Sequence, residues 1–202
     1  MTELPFSAAA ERNQRPILDV LRQVLPARGR ALEIASGTGQ HVVWFAAGLS
    51  QWTWLPTEPL AAALQPIEAR VAQEGLSNVR APLLLDVMAP QWFDDGTLFD
   101  AIYCANMLHI SPWATCAALM QGSARHLSAA GVLVTYGPYL EHDVLTSEGN
   151  LAFDQSLRAR DPAWGLRQRV DVQREAQAAG LRLQQRFAMP ANNLLLVWAR
   201  LP

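Results

Sequence analysis

Three acidic residues and one glycine-rich turn have the spacing of a site for a nucleotide-like cofactor. The run ALEIASGTGQH at residues 31–41 is an apolar segment that carries Glu33 and then turns through two glycines. Glu58 follows the turn by about 20 residues, and Asp86 ends a third apolar segment. Glycine lets the backbone approach a ligand closely, and a carboxylate after the next strand can accept both hydroxyls of a ribose. We therefore predict a nucleoside-containing cofactor at the end of the first strand.

The glycine pattern differs from those of the common nucleotide loops. The NAD fingerprint is G-x-G-x-x-G, but here Gly37 and Gly39 are followed by Gln40, His41 and Val42. The Gly-Lys-Ser/Thr ending of a phosphate loop is missing as well. A nicotinamide-dependent oxidoreductase therefore stays only a rival hypothesis, which a titration with NADH would test.

The run EIASGTG resembles the first motif of the class I S-adenosylmethionine-dependent methyltransferases, with Ala35 where many members carry glycine. The resemblance implies S-adenosylmethionine as cofactor, S-adenosylhomocysteine as product and no metal. It implies that Glu33 orients the turn and the ammonium group of the cofactor. It also implies that Glu58 binds the ribose and that Asp86, with the backbone of Val87, binds the adenine. The cofactor-binding residues expected on this basis are Asn13, Glu33, Ala35, Ser36, Gly37, Gly39, His41, Glu58, Asp86, Val87, Asn106 and Met107.

Several longer strings resemble a narrower, poorly characterised methyltransferase-like family that is catalogued as a domain of unknown function. Between residues 8 and 193 these strings are AAERNQRPIL, LEIASGTGQH, NMLHISPW, YGPY, FDQSLRARDPAWGLR and MPANN. The resemblance implies the fold and the binding of S-adenosylmethionine. It supplies no substrate.

Two residues are candidates for the catalytic chemistry of methyl transfer. His109 lies three residues past Asn106, and its ordinary pKa suits a general base; the alternative is a histidine that caps the following loop. Tyr136 ends the fifth predicted strand and could hydrogen-bond to an oxygen of the acceptor; the alternative is a buried tyrosine with a satisfied hydroxyl.

Four residues are candidates for contacts with the methyl acceptor. Trp113 could form an aromatic wall, and Tyr139 ends a strand beside the same cleft. Arg158 could bind a carboxylate in a bidentate manner or belong to a structural ion network. Asn192 could contact the acceptor or simply form a tight turn.

Alternating helices and strands must bring these residues to one edge of a sheet. The pattern predicts strands at 30–36, 52–58, 79–87, 98–108, 131–139, 181–189 and 192–201, and helices at 7–25, 41–49, 59–75, 112–131 and 170–180. Pro16 and Pro66 predict kinks or breaks in their helices. This order predicts an α/β, Rossmann-like class I methyltransferase fold. Its sheet is mostly parallel and seven-stranded, with an antiparallel C-terminal hairpin and helices on both faces.

The predicted domain organisation is a single methyltransferase domain over residues 1–202. Within it we predict an N-terminal helical cap at 1–28. Residues 138–168 have a polar, irregular pattern and are too many for a plain connection. We therefore predict that residues 138–169 form a loop that closes over the substrate.

The composition limits the possible partners. The net charge is −2 and no basic stripe is visible, so we expect no nucleic acid partner. The two cysteines are too few for a disulfide framework or a four-ligand zinc site. Neither a signal peptide nor an apolar run of about 20 residues is present, so we expect a cytoplasmic protein without a membrane partner. Either a monomer or a homodimer is compatible with this composition.

These observations favour an enzyme that transfers a methyl group from S-adenosylmethionine to a small molecule. Two alternatives stay open. The protein could bind S-adenosylmethionine without catalysing a reaction, or it could be a subunit of a complex that methylates a macromolecule. The sequence does not indicate whether oxygen, nitrogen or sulfur receives the methyl group.

Overall fold

The computed structural model describes residues 4–93 and 96–201, so residues 1–3 of the expected N-terminal cap lie outside the described residues. Its strands are β1 (Gly29–Ile34), β2 (Trp52–Glu58), β3 (Leu83–Leu84), β4 (Phe99–Ala105), β5 (Leu127–Gly137), β6 (Tyr139–Leu140), β7 (Arg167–Gln168), β8 (Leu181–Met189) and β9 (Asn193–Arg200). The main sheet has seven strands in the order β3-β2-β1-β4-β5-β9-β8. In this sheet β9 runs in the direction opposite to the other six described strands, so it pairs antiparallel with both β5 and β8. The predicted parallel sheet with an antiparallel C-terminal hairpin is confirmed.

Helices cover both faces of the sheet, as predicted. They are α1 (Ala8–Val24), α2 (Gln40–Gly48), α3 (Leu64–Glu74), α4 (Ala114–His126), α5 (Glu148–Arg160) and α6 (Arg169–Ala178). Successive residues of a strand point to opposite faces, so β4 sends Ala101 and Tyr103 to one core and Ile102 and Cys104 to the other. The first core is closed by α1, α2 and α3, and the second by α4 and α6.

Helix α1 runs without a break through Pro16, so the predicted break at this proline is wrong. Ser7 caps the helix by accepting a hydrogen bond from the amide of Ala10. The helix also buries Ile17 and Leu21 against the sheet. This burial outweighs the hydrogen bond that a proline removes. Pro66 is the third residue of α3, where its missing N–H costs no helical hydrogen bond, so it causes no break within α3.

The third strand is much shorter than the predicted strand at 79–87. Only Leu83–Leu84 pair continuously with β2, and an isolated bridge joins Val79 to Trp54. Pro82 lies between these two points and has no N–H to donate to a ladder. The segment is therefore a short edge strand.

The helix predicted at 112–131 ends at His126, and strand β5 begins at the next residue. Gly131, the last residue of the predicted helix, lies instead within β5. A Cβ at this position would approach the carbonyl oxygen of Phe99 to 2.8 Å, so only glycine fits without a shift. The pairing register of β4 and β5 shifts at the same place, which accounts for a glycine inside a strand.

The segment predicted to be irregular over 138–168 contains β6, β7 and the whole of α5, so that prediction is wrong. Ser147 caps α5 by accepting a hydrogen bond from the amide of Asn150. Leu157 is the only fully buried residue of this helix, which leaves no apolar stripe of helical period to recognise in the sequence. β6 and β7 pair in parallel as a small separate sheet.

Candidate functional site

A cavity of about 770 Å³ lies at the carboxyl ends of β1, β2 and β4, where an open parallel sheet binds its ligands. It contains most of the cofactor residues expected from the sequence. The expected residues that line it are Glu33, Ala35, Ser36, Gly37, His41, Glu58, Asp86, Val87, Asn106 and Met107. Asn13 and Gly39 do not line it in the described part of the chain. The topology thus brings three acids and the glycine turn to one edge of the sheet.

The glycine turn has a left-handed backbone at three alternate positions: Ala35 (φ 54°), Gly37 (φ 59°) and Gly39 (φ 73°). Glycine adopts this conformation at no steric cost, whereas alanine is strained in it. The amide of Gly37 donates a hydrogen bond of 2.5 Å to Oε1 of Glu58. The turn at the end of β1 is therefore tied directly to the acid at the end of β2.

Glu33 is the most unusual group in the cavity. Its side chain is buried, and its Oε2 atom has no hydrogen-bond partner in the protein. Burial raises its pKa to about 8; the nearby charge of Glu58 adds to the shift, and a hydrogen bond with Ser36 opposes it. Glu33 lines the cavity, and a buried carboxylate oxygen without a partner suits a cationic donor such as an ammonium group. This group therefore fits the amino-acid end of S-adenosylmethionine.

Glu58 and Asp86 lie at the ends of the neighbouring strand and segment. Burial raises the pKa of Glu58, while the hydrogen bond from the backbone of Gly37 lowers it. One oxygen of Asp86 accepts a hydrogen bond of 2.9 Å from the amide of Met88, which fixes the carboxylate in a local turn. Both acids line the cavity next to Leu60 and Met88, so each combines a polar acceptor with an apolar surface. That combination fits a nucleoside.

The start of α1 lies over the glycine turn. Gln40, the first residue of α2, accepts a hydrogen bond of 2.6 Å from the amide of Ser7 and donates one of 3.3 Å to its carbonyl. Arg70 donates hydrogen bonds to the carbonyls of Pro5 and Thr38 and so holds the same two segments together. Ser7 also lines the cavity. The first turn of α1 is therefore tied to the glycine turn at the edge of the cavity.

Asn13 reaches the cavity only through other residues. Its Oδ1 lies 2.6 Å from Nε2 of His41, and Nδ1 of His41 lies 3.2 Å from the hydroxyl of Tyr103. Burial lowers the pKa of His41 to about 4, so the ring is neutral near pH 7. The Asn13 oxygen then places the proton on Nε2, and Tyr103 donates to Nδ1. His41 and Tyr103 line the cavity, and Asn13 orients them from α1.

The two catalytic candidates lie outside the lining of the cavity. The His109 ring is buried and makes an edge contact with Phe153, with a centroid separation of 5.5 Å. Burial, followed by the charge of Arg167, lowers the pKa of His109 to about 4. Tyr136 is buried as well, and burial raises its pKa while a hydrogen bond with Asn13 opposes the shift. The loop-capping and buried-tyrosine alternatives match these positions.

The four acceptor candidates do not converge on the cavity. Trp113 packs on the core, with the guanidinium of Arg167 5.6 Å from the centre of its ring, and Arg158 forms an ion pair of 2.9 Å with Asp154.

The other two acceptor candidates take part in structural hydrogen bonds. Tyr139 donates a hydrogen bond to Thr135 in the core. Asn192 accepts a hydrogen bond from the amide of Ser147 at the start of α5. Tyr139 and Asn192 line a second cavity of about 100 Å³ between the 139–146 segment and the turn that joins β8 to β9.

The sequence interpretation missed several residues that line the cavity. They are Ser7, Ala10, Ile34, Thr38, Pro59, Leu60, Leu85, Met88, Tyr103, Ala105, Ile110, Ser111, Pro112, Ala114, Thr115 and Trp164. A signal was available for Thr38, which lies between the two glycines, and for Pro59 and Leu60, which follow Glu58. Trp164 had no such signal, because the lining residue that precedes it in the chain, Thr115, is about 50 residues away.

The strand order and the cavity at the strand ends define a class I methyltransferase fold. Residues 4–200 match the model of the family described as "Protein of unknown function (DUF938)", and the chain belongs to that family.

Solved structures agree with this fold. The mitomycin 7-O-methyltransferase MmcR superposes with a TM-score of 0.80 at 13% identity, over 96% of this chain and 55% of its own. CalO1, a methyltransferase in calicheamicin biosynthesis with S-adenosylhomocysteine bound, gives 0.76 at 13% identity over 95% and 55%. An O-methyltransferase family protein from Burkholderia thailandensis gives 0.76 at 18% identity over 96% and 57%. The chain thus spans little more than half the length of these proteins, and the likeness concerns the fold.

Across residues 4–93 and 96–201, no helix is long and apolar enough to cross a membrane. Within the same ranges, no group of three or more His, Cys, Asp or Glu side chains is placed to hold a metal ion.

Proposed function

We propose that this protein is an S-adenosylmethionine-dependent methyltransferase that acts on a small-molecule acceptor. The observation that carries the proposal is the unpartnered, buried carboxylate oxygen of Glu33 in a cavity that also holds Glu58 and Asp86. The cavity volume of about 770 Å³ lies in the upper part of the usual range of about 300–1,000 Å³ for small-molecule pockets. This volume supports a site that holds a cofactor and a second small molecule.

In this proposal each of the three acids binds a different part of the cofactor. Glu33 accepts hydrogen bonds from the ammonium group, Glu58 binds the ribose hydroxyls, and Asp86 binds the adenine amino group with the backbone of Val87 beside it. When bound, S-adenosylmethionine supplies an electrophilic methyl group on a sulfonium. Asn106 and Met107 follow β4 and line the cavity, and we expect the methyl group to lie beside them.

The residues of the chain contribute alignment and exclusion of water. The glycine turn and the start of α1 enclose the cavity from one side, and residues after β4 enclose it from another. Holding donor and acceptor in line is itself a large source of rate enhancement. His109 is buried outside the lining, so we assign it a structural role and leave the base unassigned.

Calorimetric titration with S-adenosylhomocysteine tests the cofactor site directly. We expect micromolar binding that falls at least tenfold in Glu58→Ala and in Asp86→Ala. Asp19→Asn is a matched control, because Asp19 is an exposed acid on α1 that pairs with Arg22. A folded protein that does not bind S-adenosylhomocysteine would overturn the proposal, and binding of NADH in its place would favour an oxidoreductase.

A further inference from the structure

One wall of the cavity is mainly apolar, and the cofactor proposal gives its residues no role. Ile110, Pro112 and Ala114 line the cavity directly after the end of β4, and Trp164 lines it from the segment before β7. We call these four residues the acceptor wall. They follow Met107, beside which the methyl group is expected, so a molecule on this wall lies next to the reacting position. Two hydroxyl residues, Ser111 and Thr115, lie in the same segment as Ile110, and the Ser111 hydroxyl donates to the carbonyl of Met107 at 2.9 Å.

The acceptor wall is fixed by hydrogen bonds to backbone carbonyls, one from a backbone amide and two from the guanidinium of Arg167. The amide of Gly165 donates to the carbonyl of His109 at 3.0 Å. Arg167 donates to the carbonyl of Leu108 at 3.0 Å and to that of Ser111 at 2.7 Å. These bonds join the segment that carries Trp164 to the segment that carries Ile110. The wall is therefore a built surface rather than a chance contact of two loops.

The charges around the cavity are of one sign. Glu33, Glu58 and Asp86 line it, and none of the described lining residues is an arginine. The chain contains no lysine, so only an arginine side chain could supply a permanent positive charge.

Two of the three guanidinium groups near the acceptor wall are engaged elsewhere. Arg167 is bound to backbone carbonyls, and Arg158 is paired with Asp154. Arg160 is exposed and lies over the Trp164 ring, 5.0 Å from its centre, without lining the cavity.

Resting on the proposed methyl transfer, we infer that the methyl acceptor is a neutral, largely apolar small molecule whose reacting atom is its main polar group. An acceptor with a carboxylate or phosphate would lose its hydration against an apolar wall, and no arginine among the described lining residues could pair with it; the sulfonium of the cofactor would be the one cation within reach, and it lies in a cavity that already holds three acids. A cationic acceptor would be repelled by the sulfonium that the cofactor brings. Of the two roles considered for Arg158, recognition of a carboxylate is therefore set aside. We expect an uncharged part of the acceptor to bind on the acceptor wall instead.

Three probes of one shape and different charge test this inference. Protein that binds S-adenosylhomocysteine in a first titration is then saturated with sinefungin, an analogue of S-adenosylmethionine whose amine keeps a positive charge at the sulfonium position, and is titrated by calorimetry with 2-naphthol, 6-hydroxy-2-naphthoate and 6-(aminomethyl)-2-naphthol. We expect the neutral probe to bind at least tenfold more tightly than either charged one. Equal or tighter binding of a charged probe, or no binding of the neutral probe, would overturn the inference. Failure of S-adenosylhomocysteine to bind in the first step would instead overturn the proposed function and the inference with it.

A charge placed on the acceptor wall gives a second test. Ile110 is 43% exposed at the cavity, so an arginine there can be accommodated. We expect Ile110→Arg to raise the affinity of the naphthoate relative to 2-naphthol at least tenfold, and Ile110→Gln, the uncharged control, to leave that ratio within threefold. An unchanged ratio in the arginine variant would contradict the inference, provided that the variant still binds S-adenosylhomocysteine.

Discussion

At the scale of single residues, Glu33 links cofactor binding to a proton. Its pKa of about 8 means that it is mostly protonated at pH 7 when no ligand is present. An ammonium group at its free oxygen favours the carboxylate, so we predict that S-adenosylhomocysteine binding at pH 7 releases close to one proton. Calorimetry in phosphate and in Tris, which have different ionisation heats, measures that number.

Glu33→Gln is the matched variant for this prediction, since it keeps the shape and removes the titration. It should abolish the proton release and weaken binding about tenfold to a hundredfold, the usual range for a charged hydrogen bond. Proton release that persists in the glutamine variant would assign the titration to another group, such as Glu58.

Ala35 carries a second prediction at this scale. It adopts φ 54° in the glycine turn, a conformation that costs a residue with a Cβ about 1 kcal/mol or more. Ala35→Gly should therefore raise the free energy of unfolding by about 1 kcal/mol, or the melting temperature by roughly 2–4 °C. Ala31→Gly in β1 is the control and should lower stability, because Ala31 is fully buried in regular strand. A destabilised Ala35→Gly variant would contradict the argument.

Residues that follow a strand in the chain were predictable, and residues that reach the cavity from elsewhere were not. Glu33, Glu58 and Asp86 each come at or near the end of an apolar run, so the sequence placed them at one edge of the sheet. Tyr103 lies inside a buried strand, where its hydroxyl gave no signal until His41 appeared beside it. Trp164 depended on long-range hydrogen bonds that no local pattern contains.

At the scale of elements, α5 depends on one asparagine for the placement of its first turn. Asn192 Oδ1 accepts from the amide of Ser147 at 3.0 Å, and its carbonyl accepts from the side chain of Asn150 at 3.0 Å. Asn192→Gly keeps the left-handed backbone but removes the side-chain acceptor. We predict a loss of about 1 kcal/mol in stability and faster hydrogen exchange in α5.

Ala191 offers a matched control for this element, because it has the same left-handed backbone, φ 57°, and no side-chain acceptor. Ala191→Gly should be neutral or stabilising and should leave exchange in α5 unchanged. If both glycine variants raised exchange equally, the turn itself rather than the Asn192 side chain would position the helix.

The elements that the sequence predicted well are apolar strands, and helices that have a glycine at or just after their end. β1, β2, β8 and β9 and helices α2 and α6 lie within two residues of their predicted bounds. α5 was missed because its single buried residue gives no period. The boundary between α4 and β5 was misplaced because a glycine often follows the end of a helix. Gly131 instead lies where the carbonyl of Phe99 in β4 leaves no room for a Cβ.

At the scale of the whole molecule, buried histidines and buried glutamates have opposite effects on stability as the pH rises. Burial lowers the pKa values of His41 and His109 to about 4 from 6.5, so the unfolded chain binds more protons between those values and stability rises with pH there. Burial raises the pKa of Glu33 from 4.5 to about 8, so the native state binds more protons and stability falls with pH across that window. Glu58, whose pKa is also raised, acts in the same direction as Glu33.

These opposing trends predict a broad maximum of stability close to pH 6.5. Between pH 6.5 and 8 the end of the histidine titration offsets part of the effect of Glu33, so the free energy of unfolding should fall by about 1 kcal/mol, since one full titration is worth about 1.4 kcal/mol per pH unit. Urea unfolding at pH 4.5, 6.5 and 8 measures the curve. Glu33→Gln should remove most of the alkaline fall and steepen the rise between pH 4.5 and 6.5, because Glu33 opposes the two histidines over that range. A wild-type protein that becomes more stable from pH 6.5 to 8 would show that Glu33 is already ionised in the ligand-free fold, which would also withdraw the predicted proton release on cofactor binding.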